Sequence, residues 1–361
     1  MQTLEDLELA LPVKTARKPS NNRLYFGLLN LAATIQLVWF YVVHVPQYLD
    51  TVAYENGVER SPFQYRLLMA YPLHWAHANR LLNFIADYLS AIPPWFPQRV
   101  HPEDIVESVV GVACVATAGL VARAIYKTSS RTGLYTSLVY PLTLALAAIT
   151  YCLITLDYFR FPYDLPSLGL FSIGIYLIYF RRSSVLFSAL FLVATVNRET
   201  SIFLLLFYAI SEGFDGIRFQ WRRLLAWRPV LLIVLLGSYW LALRIWAVHH
   251  FASNPHESKP IANWPRVAAN ASFAVSINAW PQMLSVCAYL LPFVLLNRRR
   301  IADPHLRAWL WVLPAWVLVM LFYGMIFEVR IYGELIPFFA VLVALTGEEV
   351  VWATLKHRPR E

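Results

Sequence analysis

Four polar residues, Asn197, Arg198, Glu199 and Thr200, interrupt an apolar stretch running from about Ser183 to Ile210. Charge at membrane depth is costly and is retained where it lines a cavity or meets a partner. An arginine fork grips a phosphate or carboxylate through two N–H groups, so Arg198 is a candidate anion ligand, with Asn197 and Glu199 beside it. The same four residues also read as a structural set that pairs with other helix ends. A second group, Asp157, Arg160 and Asp164, lies among Tyr158, Phe159, Phe161 and Tyr163. Two carboxylates and an arginine are dense for a turn between apolar segments, although Asp164 also fits a plain helix N-cap. A third group holds Glu328, Arg330, Tyr332 and Glu334.

Single residues add to these sets. Asp50 follows the first apolar segment by a few positions, where a carboxylate held at the membrane edge is placed to act as a general base. Glu55 and Glu59 read as solvated loop charges. Arg66 suits either a lipid headgroup or a ligand phosphate. Arg244 lies inside an apolar run and either snorkels outward or binds an anion. His249, His250, His256 and Glu257 invite a metal reading, but adjacent histidines rarely converge on one ion. No HExxH or paired-cysteine spacing is present, so no metal or other cofactor is expected. Asn270, Ala271 and Ser272 match a glycosylation sequon. Cys114, Cys152 and Cys287 all fall in apolar segments and read as packing residues.

The elements that must carry these residues are membrane helices. Hydrophobic residues make up 58% of the 361 and charged ones 14%, against about 25% charged in soluble domains. The net charge of +8 is no footprint for nucleic acid. It comes from arginine clusters at alternate segment ends: Arg181 with Arg182, Arg222 with Arg223, and Arg298 to Arg300. Such clusters mark the cytoplasmic face, which puts every mixed polar set on the other side. The expected architecture is an all-α, polytopic transmembrane bundle of one domain over residues 23–355, with cytoplasmic tails at 1–22 and 356–361.

About ten crossings are expected, near 24–45, 105–126, 134–156, 165–180, 183–196, 201–210, 229–248, 279–296, 308–327 and 331–351. The first reads as a retained anchor. The fifth and sixth are short, as in broken helices or a re-entrant hairpin, and a single long helix through both would put Arg218 to Arg228 on the wrong side. The outside loop 46–104 holds two amphipathic surface helices, Gln64 to Ala78 and Arg80 to Ile92, the second ended by Pro93 and Pro94.

This layout resembles the integral-membrane glycosyltransferases of the GT-C superfamily. The resemblance rests on many spans, a cytoplasmic N-terminus, and a large first outside loop with paired juxtamembrane helices (64–92 here). Asp50 stands where that family's catalytic Asp stands. The Asn-Arg-Glu-Thr and Glu-x-Arg-x-Tyr patterns resemble polar helix-end motifs of such bacterial membrane proteins. The chain departs from the larger members in having no soluble C-terminal domain and no second acidic residue adjoining Asp50.

The resemblance implies transfer of a sugar from a polyprenyl-phosphate carrier to a glycan, lipid or protein acceptor, outside the cytoplasm, with a bacterial inner membrane as the expected location. Asp50 would take the acceptor proton. Arg66, Arg160, Arg198, Arg244 or Arg330 would hold the departing phosphate. Asp157, Asp164, Asn197, Glu199, His249, Glu328 and Tyr332 complete the expected substrate contacts. A polymerase or ligase acting on lipid-linked glycan would use similar arginines without a base at Asp50. A transporter would place its polar groups near the bilayer midplane.

Overall fold

The computed structural model describes residues 22–92, 99–153, 159–214, 218–257, 266–326 and 328–356. Asp157 lies outside them. Among the described residues the protein is all-helical, with only isolated backbone bridges, such as Gln47 to Arg160 and Ser61 to His256.

Helix α1 (Asn22–His44) leads to a short α2 (Thr51–Glu55), then α3 (Ala70–Ala78) and α4 (Arg80–Ser90). The long α5 (Pro102–Ser129) is followed by α6 (Val139–Tyr151), α7 (Asp164–Tyr179), α8 (Ser184–Asn197) and α9 (Ile202–Gly213). After a single helical turn at Trp221–Leu224 come α10 (Trp227–His250) and three short helices, α11 (Val267–Val275), α12 (Trp280–Leu284) and α13 (Leu291–Leu296). Helices α14 (Pro304–Trp309), α15 (Val312–Tyr323) and α16 (Ile336–Lys356) complete the order.

Among the described residues, five helical stretches are long and apolar enough to cross a membrane: Leu24–His44, Pro102–Ser129, Trp227–His250, Pro304–Tyr323 and Val329–Thr354. α6, α7 and α8 are apolar but shorter. The outer faces carry exposed Leu, Val, Ile and Phe along α1, α8, α10 and α15, while Asp104, Asp164, Arg198 and Glu334 are buried. That inversion of the soluble pattern is what a hydrocarbon solvent demands. The chain is a membrane protein.

Helix α5 is the spine, packed against α1, α6, α7 and α16. Small residues permit the close approach. A Cβ at Gly169 would meet Cys114 Sγ at 2.6 Å, and one at Gly119 would meet the Tyr140 ring at 2.6 Å. Membrane helices gain their packing this way, because lipid offers no hydrophobic drive to associate.

Hydrogen bonds between distant segments fix which ends meet. At one end, Tyr48 N donates to Arg160 O, Leu67 N to Val196 O, Ser61 N to Pro255 O, and Arg330 Nη1 to Phe159 O. At the other, Glu348 accepts from Tyr126, Ser130 and Thr132, and Asp303 accepts from Tyr179 Oη at 2.6 Å. All described members of the mixed polar sets lie at the first end.

Several boundaries differ from expectation. The first surface helix begins at Ala70 rather than Gln64. A short 3-10 turn covers Phe63–Tyr65, after which the backbone bonds elsewhere: Arg66 O accepts from Tyr54 Oη, and Leu67 N reaches Val196 O. Residues 279–296 do not form one span. α12 and α13 are separated by a turn in which Cys287, Ala288 and Tyr289 take left-handed φ values of 56°, 54° and 63°, incompatible with a continuous right-handed helix. The break between α8 and α9 is real, because Arg198 is extended (φ −158°, ψ 144°).

Helix α4 is amphipathic, and its apolar face is bare: Leu81, Phe84 and Tyr88 are each more than 60% exposed. α3 adds Tyr71 and Trp75. This is the form of a helix lying in a membrane interface.

Candidate functional site

The end of α8 and the 3-10 turn that follows it, Glu199–Ser201, hang four polar side chains at one end of the bundle. Arg198 is buried and its Nη1 lies 3.2 Å from Asp164 Oδ1 and 3.6 Å from Glu334 Oε1. Thr200 Oγ1 donates to the same Glu334 oxygen at 2.5 Å. Asp164 Oδ2 accepts from Tyr41 Oη at 3.1 Å. Asn197 Nδ2 donates to Tyr163 O and to Ser167 Oγ, fastening α8 to the start of α7. Asp164 is therefore no helix cap. Its two oxygens face Tyr41 and Arg198 instead of the first-turn amides.

Glu199 turns the other way. Arg66 donates to both of its oxygens, Nε at 3.1 Å and Nη2 closer still. Arg244 Nη1 lies 3.7 Å from Glu199 Oε2, while its Nη2 donates to Thr195 O at 2.7 Å. Burial alone would raise the Glu199 pKa, but the Arg66, Arg244 and Arg198 charges hold it far below the usual carboxylate range. The Glu199 side chain nevertheless stays 38% exposed. It is the most exposed member of the group.

Arg330 completes the set. Its guanidinium lies over the Phe161 ring at 3.9 Å and donates to Glu328 Oε1 through Nε at 2.6 Å. Burial pushes Glu328 up, and the nearby Arg330 and Arg198 outweigh it, leaving its pKa lowered. Arg66 lies over the Tyr163 ring at 4.4 Å. Four arginines (66, 198, 244, 330) thus meet four carboxylates (164, 199, 328, 334) around two aromatic rings. Pairing of this kind is what lets buried charge persist, because each isolated ion would cost several kcal/mol. Two guanidinium N–H groups, Arg198 Nε and Arg244 Nε, are buried and find no acceptor among the described residues.

The remaining expected residues go elsewhere. Arg160 faces away from this cluster. Its Nη2 donates to Asp104 Oδ1 at 2.6 Å, and Nη1 to Glu107, so two carboxylates already occupy its fork. Asp50 is exposed and caps α2, Oδ1 accepting from Ala53 N at 3.0 Å. It is linked to the cluster through α2, whose Tyr54 Oη donates to Arg66 O. His249 is exposed at the end of α10 and joins none of these contacts. Tyr332 is buried and donates to Ile326 O at 3.2 Å, a role in its own turn. Among the described residues no group of three or more His, Cys, Asp and Glu has the geometry to hold a metal.

Tyr41 and Tyr163 in the cluster, and Asp104 and Glu107 at Arg160, are partners that the sequence reading did not assign. Asp104 and Glu107 had a visible signal, two carboxylates three apart on one helix face at the mouth of an apolar run. Tyr41 had none, lost in the run Trp39, Phe40, Tyr41. The Asn270 sequon has a structural role. Asn270 is fully buried, Nδ2 donating to Met320, Leu321 and Gly324 carbonyls and Oδ1 accepting from Ile326 N at 3.0 Å. Comparison with family models, curated proteins and solved structures gives no match.

Proposed function

We propose that this chain is a GT-C-like membrane glycosyltransferase that moves a sugar from a polyprenyl-phosphate carrier to an acceptor on the extracytoplasmic face. One observation carries the reading. Arg66 and Arg244 converge on the part-exposed Glu199 carboxylate, and two buried arginine N–H groups beside it, on Arg198 and Arg244, have no acceptor among the described residues. A guanidinium fork that fits a carboxylate also fits a phosphate. A phosphate would displace or join Glu199, and its extra oxygens would satisfy the spare donors.

In this reading the acceptor hydroxyl oxygen attacks the anomeric carbon as the bond from that carbon to the phosphate oxygen breaks. The phosphate leaves with the electron pair, its growing charge met by Arg66, Arg198 and Arg244. The hydroxyl proton passes to Asp50. The membrane-end location of the cluster suits a phosphate on a lipid chain, and the bare faces of α3 and α4 suit the surface where such a carrier lies. With the arginine clusters of the opposite segment ends in the cytoplasm, the site would face outside, where sugar donors are lipid-linked.

A second reading, a polymerase or ligase for lipid-linked glycan, is favoured by Asp50 standing outside the arginine cluster. Transfer from a panel of labelled polyprenyl-phosphate sugars, in nanodiscs, tests the proposal. Product formed by wild type and abolished in a folded Asp50→Asn variant supports the transferase. Product undiminished in Asp50→Asn moves the second reading ahead, and no consumption of any donor refutes both.

A further inference from the structure

The end of the bundle opposite the mixed polar sets presents a different surface. The chain from Arg218 to Arg228 holds four arginines and no acidic residue. It is folded back on the end of α9. Gln220 N donates to Gly213 O at 2.6 Å, Phe214 and Phe219 form an antiparallel bridge, and a Cβ on Gly213 would collide with the Phe219 ring. The Phe214 ring in turn lies 5.8 Å from His305, two residues beyond Asp303.

Two kinds of side chain stand out from this segment. Trp221, Leu225 and Trp227 are 66%, 68% and 69% exposed. Leu225 N donates to Trp221 O at 2.8 Å, so these two side chains, four apart on one turn, share a face. Arg222 and Arg223 stand exposed between them, and Arg228 stands exposed after Trp227. No ion pair joins these three arginines to a carboxylate among the described residues. Arg228 lies instead over the Trp227 ring at 5.3 Å.

The same end adds charge of the same sign. Arg181 and Arg182 follow α7, and Arg298–Arg300 form a 3-10 turn before α14; all five are exposed, with no ion pair among the described residues. The acids of this end are mostly spent. Asp303 Oδ1 accepts from His305 N and Leu306 N, and its Oδ2 from Tyr179 Oη. Glu348 is taken by Tyr126, Ser130 and Thr132, and Glu349 pairs with Arg131 at 3.6 Å. Among the described acids that leaves Glu212, part-exposed on α9, against the exposed arginines.

Water disfavours bare Trp221, Leu225 and Trp227, and hydrocarbon disfavours the arginines among them. The headgroup layer of a bilayer suits both. The uncompensated charge selects the headgroup. A zwitterionic lipid brings an ammonium with each phosphate and leaves the arginines unbalanced. An anionic phospholipid brings a phosphate diester alone, which a guanidinium fork grips through two N–H groups. We propose that the Arg218–Arg228 segment, with Arg181, Arg182 and Arg298–Arg300, is a docking surface for anionic phospholipid. Trp221, Leu225 and Trp227 sit at its boundary with the acyl chains. The charge bias that orients a chain during insertion needs no lipid bound afterwards; this surface does bind lipid, and it does so whatever the chain catalyses.

Native mass spectrometry of the full-length protein in detergent, titrated separately with phosphatidylglycerol and phosphatidylcholine of the same acyl chains, tests the surface. Wild type is expected to bind phosphatidylglycerol about tenfold more tightly or better. Arg222→Gln/Arg223→Gln should weaken that binding about fivefold for each charge removed, with phosphatidylcholine binding unchanged. Trp221→Ser should weaken both lipids alike. Arg80→Gln removes an exposed arginine at the opposite end and should change neither. Thermal melts without added lipid check that the variants are folded. The rise in Tm on adding phosphatidylglycerol is a second readout, expected for wild type and lost in the double arginine variant. Equal affinity of wild type for the two lipids overturns the proposal. So does a phosphatidylglycerol preference that survives the double arginine substitution, or an equal loss of it in Arg80→Gln.

Discussion

Arg66 holds both carboxylate oxygens of Glu199, a residue 133 positions further along the chain. The contact joins the segment between α2 and α3 to the break between α8 and α9, and it does so where Glu199 remains part-exposed. A fork closed on an accessible carboxylate is a fork able to exchange it for another pair of oxygens. The coupling should be measurable. Arg66→Ala, Glu199→Ala and the double variant, compared by reversible unfolding in mixed micelles, should give an interaction energy of about 0.5–3 kcal/mol. Additive effects would mean that the pair is only a coincidence of position.

Asp164 and Arg198 are different in kind, because both are buried and both have further partners. Removing either leaves an uncompensated charge, for which about 3–5 kcal/mol is the usual cost. Arg198→Ala and Asp164→Asn should therefore lower thermal stability far more than Arg66→Ala. Thermal melts of the three purified variants decide the order, and equal melting temperatures would contradict it.

His77 ties α3 to its neighbours through Glu55 Oε2 at 2.7 Å and Glu103 Oε2 at 3.0 Å. Burial alone would lower its pKa. The Glu55 hydrogen bond and the Glu103 and Glu55 charges outweigh that and raise it. A raised value in the fold means that the tie is fully present below the ordinary histidine pKa. It is lost as pH rises through the raised one. Besides these two carboxylates, His74 is the other titratable group facing this corner. Amide exchange in α3 should accelerate from neutral to alkaline pH, and His77→Gln should flatten that dependence. A profile unchanged by the substitution would remove His77 from the account.

Asn270 should carry no glycan even in a glycosylating host, because its Nδ2 is spent on three backbone carbonyls inside the fold. Intact-mass analysis checks this. Asn270→Leu strands those carbonyls and the Ile326 amide, and should destabilise by about 1–3 kcal/mol or more. A glycosylated Asn270 in folded protein would contradict the buried placement.

The class of fold and the gathering of polar sets at one end were legible because both follow from composition and from the sign of charge at segment ends. Arg198, Glu199 and Asp164 were legible on similar grounds, since charge beside long apolar runs seldom persists without a partner or a cavity to face. What was not legible depends on pairing across the chain. Arg160 looked like its fellow arginines until Asp104 and Glu107, more than 50 positions earlier, claimed its fork. The 279–296 segment reads as an ordinary span because hydropathy does not register the left-handed turn at 287–289 that divides it. A cavity beside Asp50 is made by side chains from α1, α5 and the 159–164 segment, a meeting that no local pattern encodes.

The measurement that tests the central claim most directly is saturation kinetics of sugar transfer from polyprenyl-phosphate donors by wild type, Asp50→Asn and Arg66→Ala. The account predicts that Asp50→Asn loses kcat by about 10²–10⁴-fold, the usual contribution of a general base. Arg66→Ala should raise the KM for the donor and also lower kcat, because it holds the phosphate before and during departure. Turnover in both variants equal to wild type would contradict the account, and so would a wild type that transfers no sugar from any donor.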